Sequence, residues 1–260
     1  MPYIRPLVSY GYLVTVLVFI YLPILIMMAM GFNQSSSYEL PFHFDLVWYE
    51  HLSANEVLWR AGRNSVLLAL ASSAVSSVIG TMAALSFARY RLRGQAVLQL
   101  LLFPPMAMPW LILATAMLIF FYRSGIGRGL HAMLLAHVAL ALPYVIIVVG
   151  ARLRSFGQDL EEAAATLGAN PWQTFFRVTL PMIAPGVAAA ALFAFAISFD
   201  QFVTSYFLSP PGVSTLPVEI YASIRKGFTP EINAISTIII ILSMLLLAVV
   251  SRFYRFGGTQ

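Results

Sequence analysis

Apolar residues in this chain come in six long runs: Leu7–Gly31, Asn64–Ala88, Ala96–Tyr122, Ala132–Gly150, Pro185–Leu208 and Glu231–Phe253. At ~1.5 Å per residue, about 20 helical residues cross a hydrocarbon core of ~30 Å, and each run is near or above that length. The pattern predicts an all-α polytopic membrane protein with six transmembrane helices, built as one domain over residues 1–260. Between the runs the chain is polar and punctuated. Residues 32–62 carry Phe42, Phe44, Trp48 and Tyr49, aromatic rings suited to a short amphipathic helix at the membrane interface. Ser209-Pro210-Pro211-Gly212 opens a second loop as a structured turn. The first run is too long for a signal-peptide core and lacks a small-residue cleavage site, so it is expected to be a retained span.

Composition agrees with this pattern. Hydrophobic residues make up 60% of the chain, charged residues 10%, and the mean hydropathy is +0.84. With the N-terminus inside, the cytoplasmic pieces hold nine arginines and the outer pieces six basic residues. Acids sharpen the bias, with three inside and six outside. The densest basic cluster, Arg89, Arg91 and Arg93, then falls inside, as do both termini and the segment 151–184.

That segment has its own pattern. Ala163, Ala164 and Ala165 favour a helix, Gly168 suits the left-handed residue that ends one, and Asn170-Pro171 is a cap and first-turn pair that starts another. Trp172, Phe175, Phe176 and Leu180 then recur at helical spacing as an aromatic face. Within the membrane runs, Pro104, Pro105 and Pro109 must bend or unwind the third. Irregular backbone at that depth belongs in packed protein or beside a cavity, so Pro109 and Trp110 are candidates for a solute path. Asp200, in Ser198-Phe199-Asp200-Gln201-Phe202, is the sole acid placed within a span. A charge there costs about 2.5–3.5 kcal/mol on insertion scales and calls for a purpose: a cation-attracting group on a path, or a structural partner between subunits. Ser198, Gln201 and Tyr206 surround it in sequence and join the candidate path, while Tyr144 and Tyr221 either line a path or sit at helix ends. His137 reads as a neutral histidine bonding to a neighbouring helix.

The run Glu162-Ala163-Ala164, three residues, Gly168, nine residues, then Val178-Thr179-Leu180-Pro181 resembles the EAA loop of permease subunits in bacterial type I ABC importers, with Val178 where the family usually has Ile. The resemblance implies that Glu161, Glu162, Ala163, Ala164, Gly168, Asn170, Pro171, Leu180 and Pro181 form a surface that docks into an ATPase subunit. It extends from Asn64 to the C-terminus, through Leu135-Ala136-His137, Ser198-Phe199-Asp200, Thr215-Leu216-Pro217 and Thr229-Pro230-Glu231-Ile232-Asn233-Ala234, where the chain is similar to the second permease of spermidine/putrescine-type importers. It implies a heterodimer with a homologous permease, two ATPase subunits and a periplasmic solute-binding protein, in the bacterial cytoplasmic membrane and without nucleic acid. Gln201 and Trp110 stand where polyamine permeases often carry further acids, so opines, amino acids and related amino compounds stay open as substrates.

Enzyme chemistries find no footing in the sequence. The single lysine, Lys226, lies in no phosphate-cradling loop, the histidines at 43, 51, 131 and 137 have no metal spacing, and there is no cysteine. The chain is expected to bind no cofactor and to leave ATP and Mg²⁺ to the partner ATPase. A secondary transporter or a channel would account for the spans but not for the loop. Reporter fusions after Arg93, after Asn170 and at the C-terminus should report cytoplasm, and fusions after Ser53, Gly127 and Gly212 periplasm. A periplasmic signal at Asn170 would remove the ATPase-docking reading.

Overall fold

The computed structural model describes residues 4–35, 39–90, 93–102, 104–155, 157–227 and 229–257. Arg91 of the basic cluster and the last three residues lie outside them. The described chain is almost wholly helical and falls into two compact units, one made of the first 59 residues with the segment from Ile220 onward, the other of Arg60–Glu219.

In the first unit, α1 (Ile4–Met30) and α2 (Val47–Ala54) both pack on α13 (Glu231–Gly257). The aromatic segment expected at the interface is built around Asn33, which is fully buried. Its side-chain oxygen accepts from the His43 backbone N–H at 3.0 Å, and its carbonyl accepts from the Trp48 indole at 2.7 Å. Phe32 stacks on Phe44 at 5.7 Å, and Asn55 donates to Glu231 at 3.0 Å, tying the end of α2 to the start of α13. α1 keeps much of its apolar surface open, Phe19 being 80% exposed.

The second unit is organised by α7 (Leu130–Arg154) and α10 (Leu180–Phe199), which pack along most of their lengths, with α3 (Glu56–Arg89) contributing Ala84. Ala141, Val145, Val149 and Leu153 of α7 meet Ile183, Ala190 and Ala194 of α10. Small side chains let the backbones approach, which matters in lipid because the surroundings are as apolar as the core. Ser73 of α3 adds a hydrogen bond of 2.6 Å to the Ala191 carbonyl. A second cluster joins Leu68, Phe121, Ala132, Met133, Ala136 and Leu208.

Four described helical stretches are long and apolar enough to cross a bilayer: Ser9–Met30, Glu56–Arg89, Leu130–Arg154 and Pro171–Phe199. The third run, expected as one span over 96–122, is broken into α4 (Gln95–Leu102), α5 (Pro104–Ala107) and α6 (Trp110–Arg123), with a 114° bend. The prolines cause this, since each removes a backbone donor and its ring crowds the preceding turn. The fifth run also differs from expectation. Its helix starts early, at Pro171, because α9 (Pro171–Thr174) continues through a π-helical turn (Phe175–Thr179) into α10. Pro181 has no N–H for the Arg177 carbonyl, and widening the turn just before it relieves the clash. The helix then stops at Phe199, and a separate α11 (Phe202–Leu208) follows.

At Gly80, α3 lies tightly against α7. A Cβ there would sit 2.5 Å from Val145 Cγ1. Gly80→Ala should therefore cost about 1–3 kcal/mol through overpacking, read as a lowered melting temperature of the purified protein. Val145→Ala on that background should restore most of the loss, and failure to do so would show that this contact is not the cause.

Candidate functional site

Two regions hold the candidate residues. The first is the segment between α7 and α10. Asp159, Glu161 and Glu162 occupy the first turn of α8 (Asp159–Thr166), where the helix dipole favours negative charge. The helix ends as its sequence predicts. Gly168 takes φ +85°, its N–H donates to the Ala165 carbonyl at 2.9 Å, and the Ala169 N–H reaches back to Ala164 at 3.0 Å. Asn170 then caps α9 reciprocally: its side chain accepts from the Gln173 N–H at 2.9 Å, and the Gln173 side chain accepts from the Asn170 N–H at 3.0 Å, with Pro171 in the first turn. The connection between α8 and α9 is thus defined by its own hydrogen bonds.

The surface so formed is apolar and open. Leu167 is 89% exposed, Trp172 73%, and Trp172 stacks on Phe176 at 6.0 Å. Glu162, Ala163 and Pro181 are exposed and Ala164 is half-buried. Two members of the expected set turn inward. Leu180 packs against the α7–α10 core, and the Glu161 carboxylate is engaged within the chain. It lies 2.9 Å from Arg89 Nε, accepts from Arg89 Nη2 at 3.3 Å, and accepts from the Thr179 hydroxyl at 2.8 Å. This acid joins the last turn of α3 to the π-helical turn below α10. Nothing local in the sequence pairs Arg89 or Thr179 with Glu161, since 72 and 18 residues separate them from it.

Beside this junction lies a cavity of about 710 Å³ with mainly apolar walls, lined by Phe87 and Arg89 of α3, Met106 of α5, Ile146 and Arg154 of α7, and Gln158. The proline-broken third run therefore borders a cavity, a setting in which irregular backbone at membrane depth is tolerated.

The second region is the end of α10. Asp200 is not inside a continuous helix, as its place in the run suggested, but is the C-terminal cap of α10, with an exposed side chain. Gln201 follows with extended backbone (φ −72°, ψ 93°) and a buried side chain. Ser198 is buried and bonded to His137, whereas Tyr206 stands 45% exposed beside Phe202. Trp110, 40% exposed, opens α6 directly after the cap residue Pro109, and α6 packs on α11. His137 bonds to neighbouring elements as its sequence context suggested. Among the described residues, no group of His, Asp and Glu is placed to hold a metal ion.

Gly168→Val should abolish uptake while the protein still inserts, because a β-branched residue resists positive φ and would shift the whole turn. Glu162→Ala should reduce uptake less, since it leaves the backbone alone. Normal uptake with valine at 168 would overturn the role given to this turn.

Residues 76–256 match the family described as the binding-protein-dependent transport system inner membrane component. The spermidine/putrescine transport system permease protein PotC of Escherichia coli K12 is 33% identical over 237 residues, covering 91% of this chain and 89% of that protein. The PotC protein of Haemophilus influenzae is 35% identical over 237 residues, covering 91% and 92%. The putrescine transport system permease protein PotI of Escherichia coli K12 is 35% identical over 229 residues, covering 85% and 82%. Among solved structures, a bacterial ABC transporter that imports the acidic polysaccharide alginate shares the fold, with a TM-score of 0.74 at 18% identity over 96% of both chains. The family match and the long apolar helices together make this a multi-pass inner-membrane protein, and the chain belongs to the binding-protein-dependent transport system inner membrane component family as a permease subunit.

Proposed function

We propose that this chain forms half of the translocation path of an ATP-driven importer for a small organic amine, with a polyamine such as spermidine or putrescine favoured. The observation that carries the substrate class is Asp200, an exposed carboxylate at the break between α10 and α11. A carboxylate at membrane depth persists where it meets water, a donor or a cation, and a solute path supplies water and, intermittently, a cationic substrate. The likeness to PotC and PotI over most of the chain supports the same substrate class.

On this reading residues 1–260 are one permease domain with six spans and both termini in the cytoplasm. The chain pairs with a homologous permease, and the open apolar surface of α1 supports its packing against that partner or lipid. Two ATPase subunits dock on the segment 151–184 and use the ATP and Mg²⁺. A periplasmic binding protein delivers the solute. The exposed Leu167, Trp172 and Phe176 support the docking role, being apolar side chains on a polar segment. Gln201 and Trp110, which lower the negative character of the path, favour a second reading: the same importer class serving an opine, an amino acid or a related amino compound.

Asp200→Asn keeps size and most hydrogen-bonding capacity while deleting the charge. It should lower uptake of a cationic amine about tenfold, the equivalent of ~1.4 kcal/mol, with assembly and binding-protein affinity unchanged. A structural role would instead reduce complex yield or melting temperature and affect all substrates alike. Wild-type behaviour on every measure would remove Asp200 from the path.

A further inference from the structure

A helix that breaks within the membrane leaves the last carbonyls of one segment and the first N–H groups of the next without intrahelical partners, so its geometry needs support from neighbours. The break at Asp200–Gln201 contains neither glycine nor proline to impose it. What flanks it is a bridge. His137 of α7, 1% exposed, places Nδ1 2.8 Å from the Ser198 hydroxyl and Nε2 3.1 Å from the Ser205 hydroxyl. Ser198 precedes the break and Ser205 follows it, and both are buried.

The geometry of one imidazole limits what it can bridge. Its two nitrogens are about 2 Å apart, so these hydrogen bonds hold the hydroxyls within about 8 Å of each other. In a straight helix, residues seven apart are separated by about 10.5 Å along the axis. The bridge therefore suits a bent chain better than a continuous one. A neutral imidazole can do this without charge: one nitrogen donates to a hydroxyl and the other accepts from one. We infer that His137 is a positioning residue that holds the two halves of the broken fifth span at a fixed angle, and thereby sets where Asp200 and Gln201 stand. The effect on transport rests on the amine-path reading above, whereas the effect on the break does not.

The test uses the assembled transporter in membranes. Because the chain has no cysteine, Thr204→Cys places its only thiol in α11, at a side chain that is fully buried. With His137 intact, a water-soluble maleimide should label it slowly. His137→Leu should raise that rate about tenfold, the scale of losing two interhelical hydrogen bonds in a membrane protein. His137→Gln, able to keep one bond, should fall between, and it carries the test if the leucine variant does not accumulate. A control thiol at Ala190, in the α7–α10 core, should keep its rate. An unchanged rate at 204, or an equal rise at 190, overturns the inference, the latter because it reports general loosening. In amine uptake, His137→Leu should cost about tenfold alone and less than about twofold when added to Asp200→Asn. Losses that multiply would show that His137 does not act through Asp200. If Asp200→Asn alone leaves amine uptake intact, the amine-path reading fails while the labelling result still decides the clamp.

Discussion

Everything in the larger unit depends on how closely α7 and α10 can approach. In lipid there is no gain from hiding one apolar helix against another, so association rests on dispersion at short range and on hydrogen bonds between helices. Alanines at 141, 190 and 194 provide the first. Ser73 to the Ala191 carbonyl, and His137 to Ser198 and Ser205, provide the second. With the two helices fixed in this way, the ends joined by segment 151–184 and the segment itself acquire a defined frame.

That frame explains why the connecting segment can be both well formed and exposed. Its turn is closed by Gly168 and by the reciprocal Asn170–Gln173 cap, which need no support from the core. Its attachment is made by Glu161, held between Arg89 and Thr179. Exposed aromatic and aliphatic groups can then face outward without the segment collapsing onto the membrane unit. The fold is shared with a transporter involved in the import of an acidic polysaccharide, so the scaffold itself carries no substrate preference.

Much of this was legible in the sequence because its causes are local. The apolar runs gave the long helices, three prolines gave the broken third run, and Gly168 with Asn170-Pro171 gave the turn. What could not be read is whatever depends on residues far apart in the chain. The Arg89–Glu161 pair and the His137 bridge each join residues more than sixty positions apart. The break at Asp200 carries no breaker residue, so a continuous span was the natural reading of Pro185–Leu208. The π-helical turn has a local cause in Pro181, but its outcome, a helix running unbroken from the polar segment into the membrane, is set by the packing on either side.

That continuity has a mechanical meaning. Pro171–Phe199 is a single helical rod of 29 residues, about 44 Å long at ~1.5 Å per residue, with Trp172 at one end and Asp200 just beyond the other. Tilting such a rod by about 10° about one end displaces the other by roughly 8 Å, nearly three times the ~2.8 Å diameter of a water molecule. The π-helical turn lies near the Trp172 end, where the Glu161 carboxylate accepts from Thr179, and the longer arm runs from there to Asp200. By geometry alone, a rotation of such a rod about that turn would displace its Asp200 end several times further than its Trp172 end, with no relay of side chains between them.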